Sequence, residues 1–127
     1  MSGHPVAMVL VDTSIWVSFL RTGNGRLKAL LREGRVACHP LIVGELACGR
    51  LANRTEFLTL LQTLPQASAA SEREVLHFIE HHRLSAAGVG LIDAHLMASA
   101  RLSDLLLWTS EGNLRAAAGR LGIAYQH

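Results

Sequence analysis

Hydrophobic positions along the chain follow two rhythms. Residues 6–11 are apolar and partly β-branched with no polar alternation, which predicts a short strand buried on both faces. Residues 36–39 and "LLLWTS" at 105–110 predict a second and a third strand, and "IAYQ" at 123–126 a terminal edge strand. Between them the spacing turns helical. Asp12, Thr13 or Ser14 can cap a helix running through Trp16, Phe19 and Leu20. "TGNG" at 22–25 is a turn signal, and "RLKALLREG" at 26–34 reads as an amphipathic helix closed by Gly34. Pro40 suits the first turn of a helix carrying "LIVGELACG". Helices follow near 53–63 and 72–82, with Leu58, Leu61, Val75 and Ile79 facing inward. "QASAAS" at 66–71 connects them at the surface, and helices over 86–102 and 114–121 complete the pattern.

Strands alternating with helical segments imply an α/β fold, with a mainly parallel sheet covered by helices on both faces. The 127 residues suit one domain, 1–127, with a single sizeable core. Half the residues are hydrophobic and 17% charged, which excludes a disordered chain. No apolar run reaches the ~18 residues of a membrane span, and "MSGHPVAM" lacks the pattern of a secretory signal. A soluble, cytoplasmic protein with no membrane partner is expected. Cys38 and Cys48 form no CxxC pair and read as reduced, largely buried thiols. The net charge of +2 is too mild to establish nucleic-acid binding, although eleven of the twelve basic residues are arginine.

The acidic residues say more. Six of the ten sit among polar or arginine-bearing neighbours, as on solvated helix faces. Four do not: Asp12 ends the first strand, Glu45 interrupts "LIVGELA", Asp93 interrupts "VGLIDAHLMA", and Glu111 follows the third strand. In parallel α/β sheets functional groups gather beyond the carboxyl ends of the strands, where all four can be presented. Each also has a plainer reading. Asp12 or Asp93 can be a helix cap, Glu45 a partner of Arg50, and Glu111 a loop carboxylate. Taken jointly, buried unpaired carboxylates are costly, and a shared hard cation such as Mg²⁺ or Mn²⁺ resolves their repulsion.

"VLVDTSIWVSFLR", "PLIVGELACG", "GVGLIDAHLMASARL" and "LLLWTSEGNLRAAAGRLGIAY" resemble, in order and spacing, the four blocks of a PIN domain, most closely those of VapC-type ribonuclease toxins. The resemblance implies a three-layer α/β/α sandwich and a Mg²⁺- or Mn²⁺-dependent endoribonuclease. Asp12, Glu45 and Asp93 match the first three acidic positions. The fourth block usually reads Thr-x-Asp, whereas this chain has Thr109, Ser110 and Glu111, followed by Gly112 and Asn113 where basic residues are common. Glu111 is carried over as the fourth acid, reaching a metal directly or through water, with Asn113 as an alternative polar contributor. Thr13 and Ser14 match small hydroxyl residues that support the first Asp. The implied partners are an RNA substrate, a VapB-like antitoxin covering the acidic groove, and a second copy of the chain in a homodimer. The helices near 26–33 and 50–63 are candidates for those surfaces or for core.

Other readings fare worse. A phosphorylation receiver needs a second acid beside Asp12 and a late lysine, yet the chain's one lysine is Lys28. A haloacid-dehalogenase-like phosphatase needs Asp-x-Asp, and position 14 is serine. His77 and His81 have i, i+4 spacing for zinc, without the HExxH order or an evident third ligand. "GVG" at 88–90 is too short for a phosphate loop, since Asp93 stands where G-x-G-x-x-G has its third glycine. A non-catalytic PIN scaffold that binds RNA or a partner protein remains the alternative, prompted by the altered fourth block.

Overall fold

The computed structural model describes residues 6–126. Its core is a parallel sheet of three short strands, β1 (Val9–Val11), β2 (Val36–Ala37) and β3 (Leu106–Trp108), in the order β2-β1-β3. Val9 pairs with Val36 on one side and Leu106 on the other, so β1 is central, and its three residues are fully buried. A strand covered on both faces needs no polar alternation, which is why this segment reads as continuously apolar. The sheet is flanked by α1 (Thr13–Thr22), α2 (Gly25–Arg32), α3 (Pro40–Ala47), α4 (Arg54–Thr63), α5 (Glu72–His81), α6 (Leu91–Leu102) and α7 (Gly112–Arg120). Together these make the expected α/β sandwich with a parallel centre.

Local signals set most boundaries. Asn24 caps α2 by accepting the Leu27 N–H, and Gly34 takes a left-handed φ of 68° beyond its end. Ser71 and Glu74 form a reciprocal capping box on α5. Trp16, completely buried, anchors α1 against Phe57 of α4, the ring centroids 5.7 Å apart. Phe57, Leu27 and Leu30 are therefore core residues rather than surface for a partner.

Five expectations need revision. The first strand starts at Val9 rather than residue 6, and the second ends at Ala37, where Cys38 continues only as an isolated bridge to Gln66. Residues 123–126 make one bridge, Leu107 to Ala124, and no strand. The sixth α-helix begins at Leu91, not residue 86: a 3₁₀ turn at Leu84–Ala86 and Gly88, at φ 72°, interrupt the path first. Cys48 is exposed, whereas burial pushes the Cys38 thiol up to about 11 and leaves it inert.

Candidate active site

Asp12 directly follows β1 and occupies the N-cap position of α1, yet its side chain makes no capping bond. Its Oδ2 instead accepts from Ser14 Oγ at 2.9 Å and Thr109 Oγ1 at 2.7 Å, and the residue is 3% exposed. Capping would turn the carboxylate toward the backbone of its own helix. Here two hydroxyls turn it toward the end of β3 and leave Oδ1 outside these bonds. The backbone fixes the same join, since the Asp12 N–H donates to the Trp108 carbonyl at 2.9 Å.

The other carboxylates arrive from three further elements. Glu45 lies in the second turn of α3, exposed, and accepts from Thr13 Oγ1 at 2.7 Å. Thr13, not Arg50, is thus its hydrogen-bond partner. Asp93 is in the first turn of α6, half-buried, with its Oδ2 3.4 Å from the Gly90 N–H. Glu111 precedes α7, and its N–H donates to Thr109 Oγ1. The four share one electrostatic field. Burial above all, then the charges of Asp12 and Glu45, hold Asp93 above the ordinary carboxylate range against the pull of the Gly90 N–H. Glu111 is raised for the same primary reason, then by Asp93, Asp12 and Glu45 in turn.

Among the described residues no three acidic, histidine or cysteine side chains lie close enough to enclose a metal ion unaided. The donor set is nonetheless all oxygen and mutually repulsive. It suits a hard divalent cation that keeps part of its water shell, rather than a closed protein cage.

Ser14 is a junction: its hydroxyl contacts Asp12 and Thr109 and accepts the Ser110 N–H at 3.1 Å. Asn113 has a different contact from the carboxylates. Its Nδ2 donates to the Gly88 carbonyl at 3.2 Å, bracing the loop that leads into α6. Two further contributors are Thr109 and His39. Thr109, named from the sequence only as the first residue of the fourth block, closes the apolar third strand and holds Asp12. His39, 2% exposed, accepts the Leu41 N–H on Nδ1 and faces Ser99 Oγ with Nε2 at 3.0 Å, joining the start of α3 to α6. Its signal was weaker: a histidine just before Pro40.

His77 and His81 stack at 5.9 Å on α5 and are exposed, so they stand as surface side chains.

Known proteins are similar to most of this chain. The PIN domain model fits residues 9–120. Over 118 residues, 92% of this chain and 95% of the relative, the sequence is 40% identical to Ribonuclease VapC32 of Mycobacterium tuberculosis. The fold is similar to that of FitAB bound to an IR36 DNA fragment, with a TM-score of 0.63 at 14% identity, covering 94% of this chain and 99% of that one. It is also similar to a toxin–antitoxin complex from Klebsiella pneumoniae, with a TM-score of 0.61 at 21% identity over 81% and 86% of the two chains. At such identities the two structures speak for the fold, while the family model and the 40% relative speak for descent. The chain belongs to the PIN domain family.

Proposed function

We propose that this chain is a metal-dependent endoribonuclease, acting in the cytoplasm as the toxin of a type II toxin–antitoxin pair, with residues 1–127 as one domain. The observation that carries this reading is the convergence of Asp12, Glu45, Asp93 and Glu111, from four separate segments, into one mutually repelling group at the carboxyl edge of the sheet. Its 40% identity to a protein named as a ribonuclease supports the reaction, and likeness to a toxin–antitoxin complex supports the biological setting.

Asp12 through Oδ1 and Asp93 would hold Mg²⁺ or Mn²⁺, with Glu45 and Glu111 reaching it directly or through water. A bound cation of this kind lowers the pKa of water and stabilises charge on a phosphodiester under attack. The protein's own part is orientation. Ser14 and Thr109 fix the Asp12 carboxylate, Thr13 fixes Glu45, and one of the outer carboxylates aligns the attacking water or takes its proton.

An antitoxin segment would cover the acidic cleft. A hollow of about 300 Å³ beside it, lined by Thr13, Val17, Leu20, Glu45, Arg50 and Leu51, offers such a segment exposed apolar surface. A homodimer is proposed on family grounds.

The test is cleavage of total RNA by the purified chain, free of antitoxin, in Mg²⁺ or Mn²⁺. Cleavage should stop with EDTA and fall about 100-fold or more in Asp93→Asn, beyond the roughly 10–100-fold that loss of an outer partner of a metal ligand costs. Folded protein that binds RNA without turnover would favour the scaffold reading. Cleavage surviving Asp93→Asn would remove the proposed site.

A further inference from the structure

The proposed reaction poses an electrostatic difficulty, because RNA is a polyanion and the cleft is lined with carboxylates. Among the described residues the ion pair found is Arg35 with Glu33, away from the cleft, so no arginine neutralises the acidic group. Cationic help must come from the rim.

On the side of β3 and α7 lies a hollow of about 190 Å³, lined by Asn24, Trp108, Thr109, Ser110, Arg115 and Tyr125. It joins the cleft through Thr109, which both lines it and donates to Asp12 Oδ2 at 2.7 Å. Arg115 stands one helical turn beyond Glu111, its N–H donating to the Glu111 carbonyl at 2.8 Å. Residues so spaced share a helix face, about 6 Å apart along the axis, a step comparable with that between neighbouring phosphates on an RNA strand. Arg115 is exposed and, among the described residues, forms no ion pair. Its guanidinium is therefore a fork of donors at the edge of an acidic site.

The other walls are mixed and fixed: Ile15 and the rings of Trp108 and Tyr125 are apolar, and Asn24 and Ser110 add polar groups. Asn24 uses Oδ1 to cap α2, which leaves its amide donors outside that bond. Tyr125 receives Arg26 Nε on its hydroxyl at 2.5 Å and packs against Trp108 with ring centroids 5.3 Å apart. Both rings are buried, so they form a wall rather than a platform for a stacked base. This chemistry suits ribose and phosphate.

We infer that this hollow is the subsite for the nucleotide adjoining the scissile bond, with Arg115 gripping its phosphate and Asn24 and Ser110 facing its ribose. The inference rests on the nuclease reading above.

Initial rates on fluorescein-labelled, random-sequence single-stranded RNA in Mg²⁺, between about 50 and 200 mM KCl, test it. Arg115→Ala should raise the apparent KM about tenfold while kcat stays within about twofold. The slope of log(kcat/KM) against log[KCl] should become shallower by about 0.7, one single-strand phosphate contact. Arg115→Lys should fall between, keeping the charge without the bidentate fork. Arg73→Ala, on a groove with no residue in common with this one, should match wild type. A wild type that cleaves while Arg115→Ala keeps its KM and slope would overturn the subsite alone, as would an equal effect from Arg73→Ala. A wild type that cleaves no RNA would overturn the nuclease reading and the subsite with it.

Discussion

Asp12 shows how one residue can sit in a helix-capping position without capping. Its carboxylate takes two hydroxyl bonds, from Ser14 and Thr109, in place of the backbone N–H groups of α1. Thr109→Val is nearly isosteric and deletes one of these bonds, together with the acceptor for the Glu111 N–H. It should cost about 1–3 kcal/mol in urea unfolding and weaken Mg²⁺ binding about 10-fold or more by calorimetry, as loss of a supporting contact to a metal ligand does. Asp93 makes the opposite trade. Its raised pKa means that the charged form is the disfavoured one in the fold, so at neutral pH ionised Asp93 lowers stability. Asp93→Asn should raise the melting temperature of the metal-free protein by on the order of 2–4 °C. Adding Mg²⁺ should stabilise wild type more than the variant. A metal-free variant that melts below wild type would show that the charge is not a liability.

At the scale of elements, the sequence was most legible where one local rule acts alone. Pro40 opened α3, Gly34 closed the segment after α2, and the continuous apolar run marked the central strand. It was least legible where two rules compete. The apolar period through residues 86–102 reads as one helix, but Gly88 at φ 72° and the extended Gly90 delay its start to Leu91. That delay places Asp93 in the first turn, and the period of hydrophobic residues carries no trace of it. Likewise "IAYQ" has strand-forming residues, but Tyr125 turns its side chain to Arg26 and Trp108, and pairing stops at one bridge. The four acids were visible as misfits in apolar surroundings and Ser14 as a hydroxyl beside Asp12, whereas the turn of Thr13 to Glu45 and the bonds of Thr109 to Ser14 and Asp12 depend on tertiary contacts across 32 to 97 residues. Asn113 belongs to this class. A Cβ on Gly88 would lie 2.7 Å from its Nδ2, so loop and side chain are fitted to each other. Asn113→Ala should lower kcat about 3–10-fold with little change in KM, because it loosens the approach to Asp93 rather than contact with RNA. Gly88→Ala should show the same split with an added loss of stability of about 1 kcal/mol or more, from the left-handed backbone.

For the molecule as a whole, the site depends on holding α3, which carries Glu45, against α6, which carries Asp93. His39 does this from inside the core. Because Nδ1 accepts the Leu41 N–H, the ring is neutral with its proton on Nε2, donated to Ser99 Oγ, which also accepts the Ala70 N–H. Burial first, and then the nearby His95, hold the His39 pKa below its ordinary 6.5. Unfolded chains therefore bind this proton more readily than folded ones. The stability that His39 contributes is complete above pH 6.5 and is lost as pH falls from there through its lowered value. Asp93 and Glu111 slope the other way, but their window starts from ordinary values of 3.8 and 4.5. His39→Asn separates the contributions, since asparagine can still cap α3 through its side-chain oxygen but does not reach Ser99. The variant should be less stable than wild type by about 2–4 kcal/mol at pH 7.5, from the lost bond and the space left behind. In urea titrations the gap should narrow steadily below pH 6.5, as wild type alone pays for protonating the imidazole. A gap independent of pH would mean that His39 acts through packing only, and that its protonation does not govern how α3 and α6 are held together.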